Sequence, residues 1–260
     1  MLLALPRADS VHDPASLAQG VSGALERIAR AVPAGPGPRL RLLPERITIE
    51  QALLLPGAEP EDPEGRVRLV LGVEESRLGA LVMEPRRDSH LYLFGDSKSG
   101  KTTFLRSVAA EVMRTHSASQ AQFFVVDPRR TLLGEIPEEY LVGYAANRND
   151  AQKQLGEVAD FLHRRLPGDQ VTTDQLRHRS WWTGAEAWVL VDDYDLVATA
   201  SGNPLLTLLP LLAQSQDIGL HVIIARRMGG AARSVYEAVL QNLSELGTTG
   251  ILLSGNPEEG

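Results

Sequence analysis

Gly95-Asp-Ser-Lys-Ser-Gly-Lys-Thr102 fits the pattern G-x-x-x-x-G-K-[ST] at every fixed position, and the fold of the chain is read outward from it. Gly95 and Gly100 permit a tight loop whose backbone N–H groups converge on a phosphate, and the helix that follows adds the partial positive charge of its first turn. Lys101 is expected to reach the two terminal phosphates of a nucleotide, and the Thr102 hydroxyl to sit on the magnesium ion that bridges them. The candidate nucleotide-binding residues are therefore Gly95, Asp96, Ser97, Lys98, Ser99, Gly100, Lys101, Thr102 and Thr103, with Thr103 read as structural. A glycine-rich turn before an ordinary helix is the plainer reading. It is rejected because Ser89 to Phe94 reads as a buried strand and Thr102 to His116 as a helix, the context the loop requires. Two of the only three lysines, Lys98 and Lys101, also fall inside this loop.

With 260 residues, 43% of them hydrophobic, the chain can form one large α/β domain and a smaller appendage. It has no cysteine, which excludes disulfides and thiolate metal sites, and its six histidines show no paired ligand spacing. The longest apolar run, near Leu205 to Ala213, is broken by Thr207 and Pro210 and falls far short of the ~20 residues of a membrane span. The opening Met-Leu-Leu-Ala-Leu-Pro lacks a basic flank and a cleavage site, so no signal peptide is expected. A net charge of −7 argues against a large footprint on nucleic-acid phosphates.

In chain order, Asp13-Pro14 reads as a helix start, and Leu17, Val21, Leu25, Ile28 and Val32 recur at helical steps. Pro33 to Pro38 reads as a linker, Arg39 to Pro44 as extended, and Thr48 as the cap of a short helix through Leu55. Gly57 to Gly65 is a surface loop. Val67 to Val73 and Ala80 to Met83 form a hairpin joined through Glu74 to Gly79. The expected division is an arm and linker over 1–65 and the main domain over 66–260. Beyond the loop, Phe123 to Asp127, Trp188 to Asp192, Leu220 to Ala225 and Gly250 to Leu253 are short, continuously apolar strands of the parallel, doubly covered kind. Helices are expected at Asp150 to Arg165, at about Leu208 to Gln216 ending at Gly219, and at Ala232 to Leu246 ending at Gly247.

Trp188-Val-Leu-Val-Asp-Asp193 is an apolar strand ending in two carboxylates. Next to a phosphate-binding loop, Asp192 becomes the candidate organiser of magnesium, and Asp193 and Asp192 the candidate catalytic residues. Asp193 stands where hydrolysing ATPases usually place a Glu that orients water, and it is one methylene shorter. This strand is expected beside the loop strand. Val125-Val-Asp-Pro-Arg129 puts Asp127 and Arg129 at the carboxyl end of another strand, where ligands gather in open α/β sheets. Trp181 and Trp182 read as edge packing, and Arg164, Arg165, Arg177 and Arg179 as a solvated basic face.

The loop motif, the Asp-Pro-Arg strand end, the Asp-Asp strand and His221-Val-Ile-Ile-Ala225 together resemble the FtsK/SpoIIIE family of hexamer-forming motor ATPases. Within it, Val191-Asp-Asp-Tyr-Asp-Leu196, Ile-Ala-Arg-Arg227 and Leu-Leu-Ser-Gly-Asn256 resemble the last of the three ATPase modules of EccC-type type VII secretion motors. The resemblance implies an additional-strand, RecA-like P-loop α/β fold with sheet order 5-1-4-3-2, binding ATP and Mg2+. It also implies other ATPase modules of the same motor and small helical WXG-type secreted proteins as partners. The chain would then lie at the cytoplasmic face of the cell membrane, tethered only through the rest of a longer protein. The chain departs from the family where a Thr-Gln pair usually senses the γ-phosphate: Arg226 and Arg227 stand there. Arg226 is left as a sensor, a finger toward a neighbour, or a solvated charge. With Asp193, this makes two degenerate catalytic positions and an expectation of slow hydrolysis. Two alternatives stay open, a DNA translocase and a docking adaptor permanently filled with ATP.

Overall fold

The computed structural model describes residues 13–32, 42–62, 65–229 and 237–255. The chain divides into two compact units, one ending at Leu42 and the other beginning at Leu43. The linker expected at Pro33 to Pro38 and the start of the helix expected from Ala232 lie outside the described residues.

In the first unit, the Asp13-Pro14 start opens a 3-10 turn, Pro14–Ser16, with the Ala15 N–H donating to Asp13 Oδ1 at 3.0 Å. Helix α1 then runs over Leu17–Ala31.

The second unit begins with α2, Ile49–Ala52, held by a reciprocal capping box between Thr48 and Gln51. Strands β1 (Leu69–Val73) and β2 (Ala80–Met83) form the expected antiparallel hairpin. The main sheet contains β3 (His90–Gly95), β4 (Ala121–Val126), β5 (Leu141–Ala145), β6 (Glu186–Val191), β7 (Leu220–Arg227) and β8 (Thr249–Leu252). All their pairings are parallel, in the order β5-β4-β6-β7-β3-β8. Counted from the loop strand β3 and read from β8, this is 5-1-4-3-2 with one further edge strand.

That strand, β5, was not foreseen. Its Leu-Val-Gly-Tyr-Ala is short, and Gly143 interrupts the apolar pattern at a sheet edge where only one side is paired. The expectation that the Asp-Asp strand lies beside the loop strand is also corrected. Strand β7, buried along nearly its whole length, takes the central position between β6 and β3.

Helices cover both faces, so each strand alternates between two cores. Ala187, Val189 and Val191 of β6, with Leu220, Val222 and Ile224 of β7, pack with α4 (Arg148–His163) through Ala151, Leu155, Val158, Ala159 and Leu162. Trp188, Leu190, Ile223 and Ala225 point the other way, onto Leu105, Val108, Ala109 and Val112 of α3 (Lys101–Thr115). Each buried Leu or Val contributes roughly 1.5–3 kcal/mol. This double burial explains why the strands read as continuous apolar runs. Glu111, buried on α3, pins the hairpin by accepting from the Val70 N–H at 2.9 Å.

The remaining elements are α5 (Thr173–His178), α6 (Tyr194–Val197), a 3-10 helix over Pro204–Gln214, α7 (Ser215–Ile218) and α8 (Ala238–Glu245). Gly219, at φ +70°, ends α7 as the pattern predicted.

The basic face is only partly solvated. Arg165 is 3% exposed, lies 3.9 Å above the Trp182 ring and donates to the Ala185 and Ile218 carbonyls. Arg179 pairs with Glu186, and Glu186 also meets the buried His221 at 3.0 Å. Burial alone would raise the Glu186 carboxyl, but His221 and Arg179 outweigh it and hold it well below the usual carboxylate range. The Trp181 and Trp182 indoles donate to the Arg165 and Asp217 carbonyls, which makes them packing residues of this edge.

Candidate nucleotide-binding site

Parallel strands place their carboxyl ends on one rim, and β3, β4, β6 and β7 deliver Gly95, Asp127, Asp192 and Arg227 there. The loop after β3 turns through Lys98 at φ 65° and Gly100 at φ 98°, and the second of these left-handed positions is one that glycine takes without strain. Glycine at position 95 has a steric reason. A Cβ there would lie 2.3 Å from Ser99 Oγ and 3.2 Å from Leu253 Cβ.

Lys101, 8% exposed, donates through Nζ to the carbonyl oxygens of Gly95 at 2.9 Å and Asp96 at 2.7 Å. The ammonium is thereby held across the mouth of the loop. Asp96 is tied at its N–H to Ser254 Oγ, 2.9 Å away, just past β8. Gly95 and Asp96 therefore support Lys101 from behind. Ser97, Lys98, Ser99, Gly100, Lys101, Thr102 and Thr103 line a cavity of about 380 Å³, together with Arg129, Thr131, Asp193 and Arg227.

Behind this wall, Thr102 Oγ1 donates to Asp192 Oδ2 at 2.6 Å, joining residues ninety positions apart. Thr131 Oγ1 donates to the same oxygen at 3.1 Å. Among the described residues no cluster of three or more His, Cys, Asp or Glu could hold a metal alone. A hydroxyl and a single carboxylate suit a magnesium ion that shares its remaining positions with phosphates and water.

Asp193 follows in the left-handed region at φ 47° and makes an ion pair with Arg129, Nε to Oδ2, at 2.8 Å. Arg227 Nε lies 3.9 Å from its other oxygen and 3.6 Å from Asp195. Burial and the neighbouring Asp192 carboxylate push the Asp193 carboxyl up, against the pull of Arg129. Asp127 is fully buried and accepts from the Leu132 N–H and the Tyr144 hydroxyl, both at 2.7 Å. It shapes the turn that presents Arg129. Burial and this bond raise the Tyr144 phenol.

Arg226 and Arg227 separate by strand alternation. Arg226 turns away, nearly buried, into an ion pair with Glu237 at 2.6 Å, and Arg227 alone faces the cavity. Thr131, Tyr144 and Asp195 were not picked out from the sequence. Asp195 lies within the Val191 to Leu196 stretch but was given no role there, whereas Thr131 and Tyr144 belong to no motif and only the sheet order brings them to this rim.

A parallel, doubly covered sheet with a phosphate-binding loop after an interior strand, facing a carboxylate that meets the loop's threonine, defines a P-loop NTPase domain. This chain belongs to the FtsK/SpoIIIE family, whose profile matches residues 57–246. It is 42% identical to the ESX-4 secretion system protein EccC4 of Mycobacterium tuberculosis over 223 residues, 86% of this chain and 18% of that protein. It is 38% identical over 260 residues, all of this chain, to the ESX secretion system protein EccC of Thermomonospora curvata, covering 19% of it. A solved structure of ATPases 2 and 3 of that EccC, in complex with a signal sequence peptide, matches the whole chain with a TM-score of 0.75 and covers 45% of its own length. The chain thus spans less than half the length of these relatives.

Proposed function

We propose that this chain is an ATP-binding module of a type VII protein-secretion motor, with slow hydrolysis in isolation. The observation that carries the reading is the 2.6 Å bond between Thr102 and Asp192 beside a buried Lys101, within a chain that is EccC-like throughout. Lys101 and the loop N–H groups hold the phosphates, and Thr102 and Asp192 hold Mg2+. The ion supplies charge neutralisation between the terminal phosphates. Asp193 is the residue placed to orient water. It is short for that role, and its carboxylate is engaged by Arg129. Nucleotide binding of this kind stabilises the folded state by mass action even without turnover.

The partners in this reading are neighbouring ATPase modules and small helical WXG-type substrates whose export signal this module recognises. The signal-peptide complex of the T. curvata relative supports that part. The module is the third and C-terminal one, at the cytoplasmic face of a membrane to which the rest of a longer protein anchors it. No helix among the described residues is long and apolar enough to cross a bilayer. The net charge of −7 disfavours a DNA-pumping role.

Calorimetric titration with MgATP and a steady-state hydrolysis assay test the proposal. The chain should bind ATP yet turn over below ~1 per second. Asp193→Glu should raise the rate without changing affinity. Brisk hydrolysis by the unmodified chain refutes the degenerate site, and absence of ATP binding refutes the assignment as a whole. Retention of duplex DNA at physiological salt would favour the translocase instead.

A further inference from the structure

Asp127 and Asp192 leave the sheet side by side, because β4 and β6 are parallel neighbours in which Val126 is paired with Val191. Both carboxylates are buried. Asp127 is occupied by its own turn: it accepts the Arg129 N–H at 3.1 Å, and the Leu132 N–H and the Tyr144 hydroxyl at 2.7 Å each. Its own N–H donates to Ala145 of β5 at 2.9 Å, and the Thr131 carbonyl accepts from Arg106 of α3, whose Nε meets Glu135 at 3.3 Å. The backbone at Thr131 is thus fixed by the turn, by β5 and by α3. Its hydroxyl carries one proton and has three carboxylate oxygens in reach, at 3.1 Å on Asp192 and at 3.4 and 3.5 Å on Asp127. The shortest approach is to Asp192, and Asp127 already has its donors, so the proton belongs to Asp192.

Resting on the ATP-binding reading above, we propose that Thr131 is a positioning residue for magnesium, holding the Asp192 carboxylate in the orientation that Thr102 and the metal require. Asp192 Oδ1 accepts the Asp193 N–H at 2.9 Å, a donor from the very next residue. Oδ2 accepts from Thr102, which belongs to the loop and is itself a ligand for the ion in this reading, and from Thr131. Among the donors recorded for the described residues, Thr131 is the one that holds Oδ2 from outside the loop. Magnesium tolerates little departure from octahedral geometry, so a carboxylate free to swing binds it less well. Hydrogen bonds that orient a ligating carboxylate are worth about 10–100-fold in metal affinity. Thr131 acts through Asp192, so its loss falls on the metal and not on the nucleotide.

The test is calorimetric titration of the full chain with ATP at graded Mg2+ concentrations, and again with the metal chelated by EDTA. Thr131→Val keeps the shape and removes the hydroxyl, and Thr131→Ala removes both. Each should raise the Mg2+ concentration that half-saturates the metal's effect on ATP binding about tenfold, and leave affinity for metal-free ATP within about twofold. Thr131→Ser keeps the hydroxyl and should bring the Mg2+ requirement back to within about threefold of the unmodified chain. Circular dichroism and thermal unfolding verify that each variant is folded. An unchanged Mg2+ requirement in the valine and alanine variants would overturn the proposal. An equal loss for metal-free ATP would overturn it too, reducing Thr131 to a support of its turn, as would a serine variant no better than the valine one. ATP binding indifferent to Mg2+ in the unmodified chain would also overturn it. In each of these cases the nucleotide-binding reading stands if Lys101→Ala still weakens ATP. If the unmodified chain bound no nucleotide, both would fall.

Discussion

His90 opens the loop strand and is 5% exposed. Its Nδ1 accepts the Val222 N–H at 3.0 Å. Nε2 therefore carries the proton and faces Ser215 Oγ at 2.8 Å, while that hydroxyl donates to the Leu212 carbonyl at 2.7 Å. The neutral ring satisfies this network. A second proton on Nδ1 would break the Val222 contact and place a charge next to His221. Burial first, and His221 second, lower the His90 pKa from 6.5 to about 3. Between those values the unfolded chain binds one proton more than the folded chain, so stability rises with pH across the interval and is lost as the solution is acidified below 6.5. The slope is about 1.4 kcal/mol per pH unit, which gives about 2 kcal/mol by pH 5. That is a substantial part of a typical domain stability of roughly 5–15 kcal/mol. His90→Asn keeps an acceptor near the position of Nδ1 and removes the titration. Urea unfolding at pH 7 and pH 5 should show the unmodified chain losing about 2 kcal/mol more than the variant. The comparison of slopes cancels groups common to both proteins, and it tolerates an overall weakening from loss of the Ser215 bond. Equal pH slopes would refute a buried neutral His90.

Two substitutions probe the loop itself. Lys101→Ala should weaken ATP at least about tenfold, or about 1.4 kcal/mol, in calorimetry, because a charge-assisted contact to phosphate is removed; unchanged affinity would reject the site. Gly95→Ala forces a Cβ to within 2.3 Å of Ser99 Oγ, so the loop must shift. ATP affinity should fall about tenfold while the circular dichroism spectrum is retained, and native-like affinity would show that the loop accommodates the methyl group by flexing.

Much of the fold was legible in the chain because its signals are local. The loop motif depends on the backbone freedom of Gly95 and Gly100 and on one lysine and one threonine at fixed spacing. The strands around it are apolar on both faces, which marks a parallel sheet covered on both sides whatever the order of its strands. The Thr48 capping box and the Gly219 stop are equally local. Resemblance to a family contributed the strand order, which no periodicity contains.

What only the tertiary structure decided is whatever depends on which strands become neighbours. The sequence does not reveal that β7 separates β6 from the loop strand, or that a glycine-interrupted segment adds an edge strand beyond β4. It lists Arg165 and Arg179 among exposed-looking arginines, whereas Trp182 and Glu186 draw them inward. It singles out Arg226 of the pair as sensor, finger or solvated charge, whereas strand alternation within the paired sheet sends Arg226 to Glu237 and leaves Arg227 facing the cavity. Thr131 meets Asp192, and Arg129 meets Asp193, across more than sixty residues of chain. Such pairings carry no local signature, because the energy that selects them comes from burying both faces of one sheet and not from the residues that happen to meet at its rim.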